Sequence, residues 1–255
     1  MDGLIATVMP FLGEGNFRFE DSRVAKFNGI GFAPSKAGGV VADDSKLFMS
    51  VDELRKYLAS LSWPGTERTQ GQELARSFFK AFEKRILSCE VSDLQGVATS
   101  NTQRTQFYAR LLLPRVSADL GMVHGKEEFK VDHVIARLSR NGHAIPSIYV
   151  ESENNFSEAT HEIRKLCSLN SPLRVLITFT QKQFKPEPAA GAYAKLREWQ
   201  AIIREHHEDN EDFRGTLAVI VARVEKGQLL FTACAFHKTG DLAWPLSVLV
   251  ERDLG

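Results

Sequence analysis

Between residues 70 and 87, Leu74, Phe78, Phe82 and Ile86 recur at every fourth position, the spacing of one helical face. An earlier helix is expected over VDELRKYLASL, capped by Ser50, striped by Leu54, Leu58 and Leu61, and ended by Trp63-Pro64-Gly65. Ahead of it, residues 1–45 are Gly-rich, with Phe17, Phe19, Phe27 and Phe32 suggesting short strands or loops. Gly13–Gly15 reads as a turn, because no Lys-Ser/Thr follows at phosphate-loop spacing. The segment 88–102 holds no sustained period and marks a boundary.

A third helix is expected over TQRTQFYARLLLPRV, kinked or ended by Pro114, which lacks an amide proton and collides with the preceding turn. The period then drops to two. In EEFKVDHVIARL, Phe129, Val131, His133 and Ile135 alternate with Lys130, Asp132 and Val134, as in a strand. Asn141-Gly142 is a hairpin signal, and SIYVESE returns antiparallel. Ser157 is placed to cap a helix over EATHEIRKLCSLN, and LRVLITFT is a continuous apolar strand suited to an interior position. A polar helix, AYAKLREWQAIIREHHED, precedes a hairpin of TLAVIVARV and LLFTACAFH.

The pattern predicts an α/β fold, a mixed β-sheet flanked by helices. Residues 1–100 form a mainly helical region packed on a core domain of residues 101–255.

Composition narrows the class. The chain of 255 residues is long enough for a sizeable core, and 32 Lys+Arg balance 32 Asp+Glu. That excludes a surface coated in basic charge and leaves room for a local basic groove. Cys89, Cys167 and Cys234 form no C-x-x-C pair and read as reduced thiols. No run approaches the length of a membrane span and no signal peptide is recognisable, so a cytoplasmic, membrane-free protein is expected.

The chemistry concentrates at one strand end. Glu151 and Glu153, two apart, share a strand face, and the hairpin brings Asp132 alongside. Crowded carboxylates share a proton, splay into solvent or recruit a cation. A hard divalent ion with retained waters suits such oxygen donors. The plainer alternative is a solvent-facing acidic strand end paired with Lys130 and Arg174.

Asp132, a hairpin, Glu151-Ser152-Glu153 on the next strand, a helix and an apolar strand together resemble the core of the PD-(D/E)xK nuclease superfamily, over roughly residues 101–180. The resemblance implies a restriction-endonuclease-like core that hydrolyses phosphodiesters in DNA with Mg²⁺ or Mn²⁺. Asp132 and Glu151 would be metal ligands, joined by Glu153 as ligand and general base. The chain departs from the family pattern in having Val131 where Pro is usual and Glu153 where Lys is usual. Lys165 on the following helix is a candidate for the missing cation, or else a solvated charge paired with Glu162 or Glu158. The family's upstream helical glutamate is absent from residues 101–117, where Gln106 stands instead. Glu73 or Glu83 would serve only if their helix packed on the site.

DNA is the expected partner. Residues 101–150 carry seven Lys/Arg against four acids, and Arg137 and Arg140 flank the hairpin turn. A homodimer would be needed to cut both strands at once. The competing reading is a catalytically degenerate module of the same fold that binds nucleic acid or protein. A third is an interaction protein using an exposed Phe78/Phe82 stripe at a dimer seam. His206-His207 reads as a solvated helix end and His133 as a hydrogen-bonded core residue.

Overall fold

The computed structural model describes residues 69–128, 130–181, 192–210 and 215–255. The helix expected after Ser50 and the features of residues 1–45 lie outside the described residues. The first described helix, α1 (Gln70–Leu87), starts at a capping box. The Thr69 hydroxyl accepts from the Gln72 amide, and the Gln72 side chain accepts from the Thr69 amide at 2.7 Å. Phe78, Phe79, Phe82 and Ile86 are buried along its inner face. The exposed Phe78/Phe82 seam is therefore corrected: both rings are covered, and Phe82 meets Phe231 edge-on at 5.4 Å between centroids.

The boundary segment contains a short helix, α2 (Val91–Thr99), with Leu94 and Val97 buried. With only these two residues of the helix buried, there are too few apolar positions to announce a period. Helix α3 then runs over 101–119 in three stretches: α-helical Asn101–Gln106, π-helical Phe107–Leu112 and α-helical Leu113–Asp119. Pro114 does not end it. The wider π turn comes just before the proline, which falls in the first turn of the last stretch, where no amide proton is required. Asp119 closes α3 against α1, accepting from Lys84 at 2.9 Å and from Arg85 at 2.6 Å.

Seven strands form one mixed sheet in chain order: β1 (Val123–Glu128), β2 (Val131–Leu138), β3 (Ala144–Glu153), β4 (Leu173–Thr180), β5 (Thr216–Glu225), β6 (Gln228–Phe236) and β7 (Leu242–Asp253). The first three strands are an antiparallel meander and the last three another. Strands β3, β4 and β5 are parallel, joined through helix α4 (Thr160–Cys167) and helix α5 (Ala192–Asp209).

Two expectations are corrected here. EEFKVDHVIARL is not one strand, because Lys130 takes a left-handed conformation (φ 59°) and turns the chain between β1 and β2. The final hairpin gains β7, whose half-exposed edge residues conceal the alternation. Ser157 also does not cap α4. Its amide and hydroxyl donate to Asn155 Oδ1, and Ala159 holds the cap position.

Two apolar layers sandwich the sheet. Helices α1 to α3 cover one face with Phe78, Phe82, Leu112 and Leu113, packed against Ile148, Val175, Ile220 and Phe231. On the other face α4 and α5 place Ile163, Leu166, Trp199 and Ile203 against Tyr149, Leu176 and Val219. With both faces covered, all eight residues of β4 are buried. Cys89, Cys167 and Cys234 are free and buried. No described helix is long and apolar enough to cross a membrane.

His133 is buried on β2, its Nδ1 3.3 Å from His124 Nε2 on β1. Burial first, then the neighbouring His124, pushes its pKa down to about 4. The folded value lies below the unfolded one near 6.5, so between these limits the unfolded chain binds more protons. The stability present above about pH 6.5 is lost as the pH falls through about 4, with a ceiling of about 3 kcal/mol. Thermal melts from pH 7 to pH 4.5 should show this loss, and His133→Gln should flatten the difference.

Candidate functional site

The β2–β3 ladder ends at the His133–Val150 pair. Beyond it a side chain replaces the backbone acceptor: the Ser152 amide donates to Asp132 Oδ2 at 2.9 Å, and the Ser152 hydroxyl donates to the same oxygen at 3.2 Å. This bond ties the end of β3 to the start of β2 and fixes the Asp132 carboxylate beside the motif. Alternation along β3 turns Tyr149, Glu151 and Glu153 to the α4/α5 side, and Ile148 and Val150 to the opposite layer.

Glu151 is only 2% exposed. A carboxylate there costs desolvation, and α4 supplies the compensating charge. Lys165 Nζ lies 2.6 Å from Glu151 Oε1 and 3.3 Å from Glu162 Oε2. Burial raises the Glu151 pKa. The Lys165 hydrogen bond pulls it down, and the charges of Asp132 and Glu162 add to the rise, leaving it above the usual carboxylate range. Burial works against the Lys165 ammonium, but Glu151 and Glu162 prevail and hold its pKa above the usual lysine value.

The structure thus brings Asp132, Glu151 and Lys165 together. Glu153 shares their face, but its Oε1 accepts from the Asn155 amide at 2.7 Å, capping the turn after β3. Among the described residues, no group of three or more His, Cys, Asp or Glu side chains is arranged to hold a metal ion. The donor chemistry of Asp132 and Glu151 nevertheless fits Mg²⁺ or Mn²⁺, since hard carboxylates in ones and twos, with waters, are the usual ligands of Mg²⁺.

The paired-charge alternative is revised in its partners. Arg174 sits near the opposite end of the sheet, buried, with its guanidinium donating to the carbonyls of Leu166, Leu169 and Gly215 at 3.4–3.5 Å. The cation beside Glu151 is Lys165, not Arg174. Arg137 and Arg140 are exposed near the β2–β3 hairpin tip, at the end of β2 away from Asp132. At ~3.3 Å per residue, they lie roughly 15–25 Å from it along the strand and do not line the acidic site. Glu73 and Glu83 belong to α1, which covers the other face of the sheet.

The continuous apolar reading of β4 missed residues on this face. Glu153 pairs in register with Thr178, and Thr178 with Val221; Thr180 pairs with Arg223. Thr178, Thr180 and Arg223 are buried, so the α4/α5 face becomes polar toward the C-terminal ends of β4 and β5. The signal was Thr178 and Thr180 two apart at the strand's end. On the other face, Arg104 of α3 stacks 3.6 Å over Phe179 and donates to Asn154 Oδ1 at 3.1 Å, bracing the end of β3. Compared with protein-family models and with curated proteins, the chain matches none.

Proposed function

We propose that the chain is a divalent-metal-dependent nuclease of the PD-(D/E)xK type, hydrolysing phosphodiester bonds in DNA at Asp132 and Glu151 with Lys165 beside them. One observation carries the reading: a carboxylate 2% exposed at the end of an interior strand, next to Asp132 and ion-paired to a lysine from the following helix. Purely structural folding has little use for such a group, whose burial opposes its charge. The order of three antiparallel strands, a helix and a parallel fourth strand supports the restriction-endonuclease-like core that the resemblance implies.

Asp132 and Glu151 would hold Mg²⁺ or Mn²⁺, which when bound supplies an activated water and charge stabilisation at the phosphodiester. Lys165 keeps its proton and serves as a fixed positive charge toward the developing phosphorane oxygens, in place of a base. Glu153, half-exposed, is the group on this face available to accept a proton from water. A second reading, a catalytically degenerate module binding nucleic acid or protein, is favoured by the Lys165–Glu151 pair, which already gives the buried Glu151 a countercharge from the chain itself.

Calorimetric titration with Mn²⁺ separates the two readings. A nuclease site binds the ion and cleaves plasmid DNA, and Lys165→Met lowers cleavage at least about tenfold while Mn²⁺ affinity holds or improves. Absence of Mn²⁺ binding by the wild-type chain would leave the degenerate module.

A further inference from the structure

Thr178 is 1% exposed, and its hydroxyl has no hydrogen-bond partner among the described residues. Buried hydroxyls are nearly always paired, and an orphan calls for an explanation. Its position suggests one. Thr178 sits on β4 directly in register with Glu153 on the parallel neighbour β3, and both side chains project to the α4/α5 side. Adjacent strands run about 4.8 Å apart, within reach of a glutamate carboxylate and a threonine hydroxyl. Glu153 is meanwhile turned outward, its Oε1 held by the Asn155 amide just beyond the strand.

We infer that Glu153 has two stations, and that Thr178 is the positioning residue for the inner one. Outward, Glu153 caps the turn at Asn155, as observed. Inward, its carboxylate accepts the Thr178 hydroxyl and stands in the row beside Glu151, which has Leu176 as its own neighbour on β4. The inward station gives the orphan hydroxyl a partner and adds a third carboxylate to Asp132 and Glu151. Like charges keep Glu153 outward until a cation offsets them. This inference rests on the metal-dependent reading above. The chain's own contribution is the hydroxyl that selects the rotamer.

The test uses Thr178→Val, which keeps the branched shape and removes only the hydroxyl. Because that hydroxyl is unpartnered, the variant should melt at the wild-type temperature or above it. Calorimetric titration with Mn²⁺ should show about a tenfold weaker affinity for Thr178→Val and for Glu153→Gln. The double variant should be no weaker than either alone, and Thr178→Ser should restore wild-type affinity. If Thr178→Val binds Mn²⁺ as the wild type does while Glu151→Ala abolishes binding, the inner station is overturned and the metal site stands. If the wild-type chain binds no Mn²⁺, the metal reading fails and the inference fails with it. Weakening of the double variant by the product of the two single effects would also overturn the coupling.

Discussion

Glu151→Ala is expected to reduce Mg²⁺- or Mn²⁺-dependent cleavage of plasmid DNA by about 10²–10³-fold, the scale lost with one preorganised electrostatic group. The same change should cost little stability. Glu151 is buried, but its partner Lys165 is 29% exposed and can turn its ammonium to water once released. The penalty for an abandoned buried charge therefore does not apply in full. Glu151→Gln should give a similar loss of cleavage while preserving the packed volume. It also has a pH signature. Burial holds the folded pKa of Glu151 above its unfolded value, so its contribution is fully present below about pH 4.5 and is lost as the pH rises through the raised folded value. The Gln variant should lose that slope in thermal melts. Undiminished cleavage by Glu151→Ala would assign the activity to a contaminant and remove the catalytic reading.

Phe82→Ala should have the largest effect on stability, about 3–5 kcal/mol in denaturant unfolding. The ring is fully buried, touches Phe231 edge-on and lies 6.2 Å from Phe78. Its removal would leave a cavity between α1 and β6 that neighbouring aromatics cannot fill without leaving their rotamers. A loss below about 1 kcal/mol would mean that α1 is dispensable for the core. The measurement bears on the domain division as well, since α1 and α2 share one apolar cluster with β3, β4, β5 and β6.

How much was legible depended on burial asymmetry. Helix α1 matched its expected span because one face is buried and the other wet, so the four-residue spacing survived in Phe78, Phe82 and Ile86. Strand β4 was equally plain, being buried on both faces. Strand β1 was not: VHGKEE lies at the sheet edge, and its polar residues carry no alternation. The turn before β2 depends on a left-handed lysine, where glycine or asparagine would have given a signal. At the site, parity alone placed Glu151 and Glu153 on one face. The local bond from the Asn155 amide that turns Glu153 outward has no sequence signature. Lys165 was legible as a candidate because it follows the strand on the next helix. Its pairing with Glu151 depends on how α4 crosses the sheet, which no local pattern encodes.

Because every strand pairs with its predecessor along the chain, no connection has to thread past a later one. A ribosome can therefore release the sheet strand by strand, each docking on an edge already formed. The hazard of that route is β5. Until β6 pairs with it, the buried stretch of β5 from Thr216 to Arg223 offers its open backbone to any neighbouring nascent chain, and β6 acts as the built-in shield.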